Sequence, residues 1–280
     1  MAESRQGAGR ATTRRPPRGI VVRRRDIEST PPPVGGRFAE VAYTRLPLPR
    51  LATRALGTFC VNTADRVVSI TYDDGPHPEH TPRLLDLLAS RGATATFFAL
   101  ARQVRAHPEI ARRIVAEGHE LALHGQDHRS LLTMGDAEAV RYVRDAKDEV
   151  ESLVSAPLVS FRPPYGAHTV RQAHGIAGLG LDVLIWSGDA FDWVDDEETR
   201  IADRALSTIF PGSMLLLHDD RGDPETLAED EVFPDFDRAE VLGLVLDRLS
   251  ADGYRTMTAH ELVSGYQPVM SMARERMRTS

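Results

Sequence analysis

The chain has little cysteine and no long apolar run. Cys60 is the single cysteine among 280 residues, so no disulfide forms within the chain and a reducing compartment is permitted. No apolar run of signal-peptide length follows the arginines at residues 14–15 or 23–25, which leaves a secretory or twin-arginine signal incomplete. Residues 214–217, the most apolar stretch near a candidate site, are far shorter than the roughly 20 residues of a membrane-spanning helix. We therefore expect a cytoplasmic protein without a membrane anchor.

Charge is unevenly distributed along the chain. The formal net charge is −7, although residues 1–25 contain eight arginines and a single acid, Glu3. A basic arm of this kind can bind nucleic acid, anionic lipid or an acidic partner. No aromatic residue lies among these arginines to stack on bases. We therefore predict a solvated, disordered tail over residues 1–39 and do not expect nucleic-acid binding.

The remaining chain has the composition of a folded domain, which we place at residues 40–265 with a second tail at 266–280. From residue 66 onward, short apolar runs alternate with longer amphipathic ones, a pattern typical of βα units around a parallel sheet or barrel. Strands are predicted over 66–72, 94–99, 120–123, 158–161, 181–186, 213–217 and 254–257, and helices over 81–91, 108–117, 136–155, 169–179, 197–210 and 238–251. The chemically suggestive residues follow the strand ends, where barrel enzymes place their active sites.

Two histidines and two acids suggest a metal site. His124 and His128 are four residues apart, so on one helical turn both imidazoles would face the same ion. This spacing alone is weak, because such pairs are common on exposed helices. Asp73 and Asp74 stand at a strand end before a Gly-Pro turn. One Asp suffices to cap such a turn, whereas two adjacent carboxylates are costly without a cation or a proton between them.

A site with two His ligands and one Asp ligand keeps a coordination position open for water, which is typical of a catalytic zinc rather than a structural one. A metal of this kind lowers the pKa of its bound water from 15.7 toward roughly 7 to 9. The composition of the cluster therefore predicts a hydrolytic centre.

The same residues carry a family resemblance. Over about residues 64–264 the sequence resembles the polysaccharide deacetylases, carbohydrate esterase family 4, whose five signature motifs occur in order. T-F-D-D-G-P corresponds to Thr71-Tyr72-Asp73-Asp74-Gly75-Pro76, H-[ST]-x-x-H to His124 through His128, R-P-P-Y to Arg162-Pro163-Pro164-Tyr165, D-x-x-D-W to Asp189 through Trp193, and L-x-L-H to Leu215 through His218. Each match lies at a predicted strand end.

The resemblance implies a distorted (β/α) barrel with fewer than eight strands and a single divalent metal ion. Zinc is the expected ion, with Co²⁺, Mn²⁺ and Ni²⁺ as alternatives. The implied metal ligands are Asp74, His124 and His128. The implied catalytic residues are Asp73 as base, Arg162 as its partner, His218 as acid and Asp192 as the partner of that acid. The implied substrate-binding residues are Tyr165, whose backbone N–H would face the oxyanion, and Trp193, Leu215 and Leu217, which would form the walls of the acyl pocket.

Two positions depart from the family pattern. Tyr72 replaces the usual Phe, and Gly125 replaces the usual Ser or Thr between the metal histidines. Gly125 removes a hydroxyl that could orient a ligand or its loop, so local support for the metal is in question.

We expect an N-deacetylase that acts on an N-acetylated sugar or small glycoconjugate. A long acidic loop follows His218. We expect a solvated loop, with the alternative hypothesis that it repels anionic polymers and suits a neutral amino sugar. The alternatives are a deacylase or amidase of a non-sugar metabolite on the same fold, and a binding module that has lost catalysis. A pure binding module has no need of both an acid and a base, which disfavours the second alternative. The sequence leaves the oligomeric state open.

Overall fold

The computed structural model describes residues 19–23, 36–38, 45, 56–221 and 234–271. Most of both predicted tails, and most of the acidic loop after His218, lie outside these residues. Within them the strands are β1 (Ile20–Val21), β2 (Gly57–Asn62), β3 (Val67–Asp73), β4 (Thr96–Leu100), β5 (Glu120–Gly125), β6 (Ser160–Phe161), β7 (Asp182–Val183), β8 (Gly188–Asp189), β9 (Ser213–His218), β10 (Arg255–Thr256) and β11 (Gln267–Ser271). The helices are α1 (His80–Arg91), α2 (Ala101–Ala106), α3 (Pro108–Ala116), α4 (Asp136–Val154), α5 (Val170–Ala177), α6 (Glu198–Ser207), α7 (Arg238–Ala251) and α8 (Ala259–Gly265).

The strands form one sheet that curls back on itself. Its order is β1-β11-β2-β9-β3-β4-β5-β6-β7, with β10 paired to β3 and β8 paired to β9. The pairs from β9 through β7 are parallel, whereas β2 runs antiparallel to both β11 and β9. Thr58 in β2 bridges Leu184 just beyond β7, which closes a ring of β2, β9 and β3 to β7. The predicted distorted (β/α) barrel with fewer than eight strands is confirmed.

Alternation along the strands separates two buried faces. On β3, Val68, Ile70 and Tyr72 belong to the large core under the helices, whereas Val67 packs in a smaller cluster with residues of the other strands and of α8. Because strand side chains alternate between faces, Thr71 and Asp73 share the inner face with Val67. The barrel interior thus changes from apolar at the amino ends of the strands to polar at their carboxyl ends.

Most predicted elements lie within a few residues of the observed ones. α7 has the predicted bounds, and α1 ends at Arg91 with Gly92 as its C-cap, at a φ of 60°. The prediction missed β2, β8, α2 and α8. α8 begins with a capping box between Thr258 and Glu261, which was a readable signal. α2 follows β4 without an intervening residue, so no turn residue marked its start.

Both tail boundaries require correction. β1 lies inside the segment predicted as a disordered tail, and β11 lies inside the predicted C-terminal tail. The two strands pair with each other in parallel, and β11 also pairs with β2. Short apolar segments such as Ile20–Val21 carry no local signal of strand formation, because their stability comes from pairing with a strand distant in sequence.

None of the helices in the described ranges is long and apolar enough to cross a membrane.

Candidate active site

Two acids terminate the central strand. Asp73 is the last residue of β3, and the parallel register places it opposite His218 on β9. Asp74 follows with a left-handed φ of 80°, which turns the chain out of the strand. Both residues are buried, with 2% and 3% of their surface exposed. Carboxylates held this close in a buried site favour a cation beside them.

His124 and His128 do not share a helical turn, contrary to the prediction. His124 belongs to β5, Gly125 follows with a φ of 107°, and His128 has a φ of 63°. This loop brings the second imidazole back over the first, with 5.1 Å between the ring centroids. The prediction was wrong because a spacing of four residues also fits a tight loop, and the left-handed backbone at Gly125 ends the strand without starting a helix.

Asp74 and the two histidines form a group with the dimensions of a metal site. Asp74 Oδ1 lies 3.4 Å from His124 Nε2 and 3.5 Å from His128 Nε2. One ligand atom from each of the three residues lies within 4.8 Å of the others. Ligands about 2.0–2.1 Å from a tetrahedral ion are roughly 3.3 Å apart, so the observed spacings fit such an ion. These three residues would hold it.

His124 is held in the form that binds metal. Its Nδ1 lies 2.8 Å from the carbonyl oxygen of Arg162, so the ring donates its Nδ1–H there and directs the Nε2 lone pair toward Asp74. Burial, reinforced by the charge of His128, lowers the pKa of His124 well below its ordinary value. A neutral imidazole with a fixed tautomer is a preorganised ligand.

Arg162 lies inside the barrel. Its side chain has no exposed area, and its Nη1 donates to Asp73 Oδ1 at 2.6 Å and to Thr71 Oγ1 at 2.8 Å. Its Nη2 donates to the Ile185 carbonyl at 3.2 Å, and the guanidinium lies 4.0 Å from the centre of the Phe98 ring. These contacts fix the orientation of the Asp73 carboxylate. Removing one partner of a buried ion pair costs about 3–5 kcal/mol.

The pKa of Asp73 reflects two opposing effects. Burial raises it, while the positive charges of Arg162 and His218 lower it, and the result is a pKa of about 6. Arg162 therefore orients Asp73 without making it a weak base. A carboxylate with this pKa is ionised at neutral pH and still accepts a proton readily.

His218, the last residue of β9, pairs with Asp192. Asp192 accepts the backbone N–H of His218 at 2.7 Å through Oδ2, and its Oδ1 lies 2.7 Å from His218 Nδ1. Burial lowers the pKa of His218, but the charge and hydrogen bond of Asp192 outweigh it and raise the pKa to about 10. The imidazole is therefore protonated at neutral pH, and Trp193 packs edge-on against it at 5.7 Å.

A cavity of about 320 Å³ opens over these groups. Its walls include Tyr165, Trp186, Trp193 and Leu216. Tyr165 has a φ of 60°, and its ring packs against His128 at 4.6 Å.

The predicted leucine walls require correction. Leu215 and Leu217 lie in the large hydrophobic core under the helices, and Leu216 faces the cavity instead. On β9, Leu216 shares its face with His218, two residues on. The prediction placed the leucines beside His218 in the motif without taking this alternation into account.

Tyr142 on α4 supports the loop between the metal histidines. Its hydroxyl accepts the backbone N–H of Gln126 at 2.9 Å and that of Asp127 at 3.1 Å, and donates to Asp127 Oδ1 at 2.6 Å. A Cβ on Gly125 would lie 3.3 Å from the Tyr142 ring. Gly125 is therefore required by its φ and by the close approach of Tyr142, and the tyrosine supplies the loop support that the missing Ser or Thr hydroxyl put in question.

Asp219 is a second residue that the motifs did not identify. It is 1% exposed, and it accepts the Gly75 N–H at 3.1 Å as well as the Thr81 hydroxyl. It thereby ties the turn after Asp74 to the first turn of α1. Burial raises its pKa to about 7. In the sequence, only the position of Asp219 directly after His218 indicated a role at the site. Nothing in the sequence indicated a role for Tyr142, because Tyr142 lies outside every motif.

Comparison with known proteins is consistent with this geometry. The family model described as Polysaccharide deacetylase matches residues 61–184. The chain is 36% identical to a chitooligosaccharide deacetylase of Sinorhizobium fredii over 60% of this chain and 79% of that protein. It is 31% identical to a peptidoglycan-N-acetylglucosamine deacetylase of Bacillus cereus, over 74% of this chain and 92% of that protein. The crystal structure of the Bc1960 peptidoglycan N-acetylglucosamine deacetylase superposes with a TM-score of 0.66 at 26% identity, covering 78% of this chain and 94% of that one.

The Tyr142 contacts predict an effect on metal affinity. Tyr142→Phe keeps the ring and removes the hydroxyl that holds the His128 loop, so we expect zinc affinity to fall by about 10-fold or more. Isothermal titration of zinc into metal-free protein measures this, and the Tm of the metal-free variant checks that the fold is retained. Tyr254→Phe, at another half-buried tyrosine, is the matched control. Unchanged zinc affinity in Tyr142→Phe would contradict the assignment.

Restoring the hydroxyl typical of the family is expected to be harmful. Gly125→Ser places a Cβ at a φ of 107° and against Tyr142, so we expect the free energy of unfolding to fall by about 1–3 kcal/mol. Denaturant unfolding of the metal-free protein measures it. Gly135→Ser is the control, because Gly135 precedes α4 at a φ of −64° with open space around it. A Gly125→Ser protein as stable as the wild type would refute the steric account.

Proposed function

Because the chain belongs to the polysaccharide deacetylase family, we propose that it hydrolyses the N-acetyl group of an N-acetylated carbohydrate to acetate and a free amine. One observation carries the proposal. Asp73, Asp74, His124, His128, Asp192 and His218 line one cavity, where Asp73 pairs with the buried Arg162 and His218 pairs with Asp192.

Amide hydrolysis requires the removal of a proton from water and the stabilisation of an oxyanion. A divalent ion bound by the three ligands would lower the pKa of a coordinated water and polarise the acetyl carbonyl. Asp73, oriented by Arg162, takes the proton from the attacking water. We assign the second oxyanion donor to the backbone N–H of Tyr165, whose turn lines the cavity. Loss of one such donor typically costs about 10²- to 10³-fold in rate.

The amine is a poor leaving group, so its nitrogen must be protonated as the C–N bond breaks. His218 supplies this proton, because Asp192 keeps the imidazole protonated at neutral pH. The base and the acid are thus two different residues. Their environments give them opposite protonation states at the same pH, as separate roles require.

We propose zinc as the ion, with Co²⁺, Mn²⁺ and Ni²⁺ as alternatives, since two imidazoles and one carboxylate suit all four. Metal analysis of the purified protein distinguishes them. The cytoplasmic location also stays a prediction, which cell fractionation tests.

A deacylase or amidase of a non-sugar metabolite is the alternative function within the hydrolases. The relatives do not favour this alternative, because their names give chitooligosaccharide and peptidoglycan N-acetylglucosamine as substrates. A binding module that has lost catalysis would have no use for the two ion pairs that flank the ligand group.

The direct test is acetate release. The zinc-loaded protein is expected to release acetate from N-acetylhexosamine compounds, and Asp73→Asn to lose at least about 10²-fold of kcat because the general base is gone. Asp145→Asn, an exposed acid on α4, is the control for the same chemical change. Acetate from none of the sugars, or full turnover by metal-loaded Asp73→Asn, would refute the proposal.

The His218–Asp192 pair predicts a specific pH dependence. His218 must be protonated to act, so activity is present below its pKa and is lost as the pH rises through it. Asp192→Asn removes the charge that raises this pKa, and the alkaline limb of the kcat profile should move to lower pH by about 1–3 units. Asp195→Asn, an exposed acid in the same segment, should leave the limb in place. An alkaline limb that does not move in Asp192→Asn would remove His218 from the role of acid.

A further inference from the structure

A tryptophan packs against the turn that carries Tyr165. A Cβ on Gly166, the next residue, would lie 3.0 Å from Trp186 Cη2 and 3.1 Å from Trp186 Cζ3. These distances are shorter than the roughly 3.5–4.0 Å at which carbon atoms attract each other best. The six-membered ring of the indole therefore rests directly on the backbone of Gly166. Trp186 also lines the cavity, although it belongs to none of the five motifs.

The turn has an unusual backbone. Tyr165 and Gly166 have φ values of 60° and 61°, so two left-handed residues follow one another. The Gly166 N–H donates to the Pro163 carbonyl at 2.9 Å, and the Ala167 N–H donates to the Pro164 carbonyl at 3.1 Å. A left-handed conformation costs a residue such as Tyr165 of order 1–3 kcal/mol and persists only where its surroundings enforce it. Neighbouring side chains therefore contribute to the shape of this turn.

The direction of one N–H bond depends on that shape. Proline has no backbone N–H, so within residues 163–165 only Tyr165 supplies one. Rotation of a side chain cannot re-aim a backbone donor, whose direction follows the φ and ψ angles of the turn. A misplacement of about 1 Å in a catalytic group can cost about 10²-fold in rate. The contacts that hold the turn thus decide how well the Tyr165 N–H meets an oxyanion.

Trp186 is itself held in place by three neighbours. Ser187, the next residue, exchanges two hydrogen bonds of 3.0 Å with the backbone of Met214 on β9. Arg162 Cζ lies 5.8 Å from the centre of the indole ring, a distance that allows a cation–π interaction. Asp189 accepts a hydrogen bond from the Trp186 side chain. The indole is therefore a fixed support for the turn.

The proposed reaction leaves Asp189 without a role, although this residue opens the motif that ends at Trp193. Asp189 accepts the Phe191 N–H at 2.8 Å in addition to the Trp186 side chain. These two donors fix the carboxylate, which in turn fixes the orientation of the indole. Asp189 thus supports the turn at Gly166 through Trp186.

We propose that Trp186 is a positioning residue for the oxyanion donor: its indole ring, oriented by Asp189, packs on Gly166 and holds the Tyr165 backbone N–H toward the cavity. This role rests on the proposed function, because only hydrolysis creates the oxyanion that the donor meets. The oxyanion exists in the transition state and not in the bound substrate. Loss of the support therefore lowers kcat and leaves KM nearly unchanged.

A double-mutant cycle tests the contact between the indole and the turn. Gly166→Ala adds a methyl group that collides with the indole, and Trp186→Phe removes the distal ring atoms with which it collides. For the zinc-loaded enzyme acting on an N-acetylglucosamine oligomer, we expect Gly166→Ala to lower kcat by about 10²-fold in the wild type and by only about tenfold in Trp186→Phe. KM should change by less than about threefold. The strain of alanine at this φ is present in both backgrounds and cancels.

Trp193→Phe is the matched control for this cycle, because Trp193 is the other tryptophan of the chain and also lines the cavity. The effects of Gly166→Ala and Trp193→Phe on kcat should simply multiply. Effects of Gly166→Ala and Trp186→Phe that also multiply, or a loss that appears in KM instead of kcat, would overturn the proposal.

A measurement without turnover separates failure of this role from failure of the proposed function. In metal-free protein with ¹⁵N-labelled tyrosine, the residual dipolar coupling of the Tyr165 amide reports the direction of its N–H bond, and Tyr165→Phe identifies the signal by its loss. Trp186→Phe should change this coupling and leave those of the other tyrosines in place, whereas Trp193→Phe should change none. An unchanged Tyr165 coupling in Trp186→Phe would overturn the positioning role. The expected change, together with a wild type that releases no acetate, would instead overturn the hydrolytic function.

Discussion

The buried ion pair between Arg162 and Asp73 is the interaction on which the rest of the site depends. A guanidinium without any exposed area needs compensation of its charge, which Asp73 provides, and its two terminal nitrogens donate to Thr71, Asp73 and the Ile185 carbonyl inside the barrel. The Arg162 carbonyl in turn accepts the His124 ring N–H. One residue therefore orients the base through its side chain and a metal ligand through its backbone.

The electrostatic balance around this pair explains why the site suits a cation. Asp73, Asp74, Asp192 and Asp219 are all buried. Arg162 pairs with Asp73, and His218, Arg221 and Arg238 line the cavity, so positive charge offsets part of the charge of these acids. Burial raises the pKa of Asp73 to about 6 and that of Asp219 to about 7. A bound divalent ion adds positive charge where the acids converge, and so favours their ionised forms. Metal binding and activation of the base are thus linked through the same charges.

Much of the site could be predicted from sequence, because its residues occur in short motifs at strand ends. The three ligand residues and the Asp73–Arg162 and His218–Asp192 pairs are found together as predicted, although their catalytic roles remain proposals. The errors concern where side chains point and how the chain connects them, and not which residues form the site. Leu215 and Leu217 face the helices, and the two histidines are joined by a loop instead of a helical turn. Tyr142 lies outside the motifs and Asp219 directly after one, and both hydrogen-bond to the loops that carry the metal ligands.

The sequence by itself determined the family, the fold class and the chemical groups of the site. It could do so because strand ends, acids, histidines and turn residues are local in the chain. Only the tertiary structure decided which face each strand residue occupies, how β1 and β11 extend the sheet, and how Tyr142 replaces a missing hydroxyl beside Gly125. These features depend on contacts between residues far apart in sequence, whose geometry is set by the packing of the whole barrel.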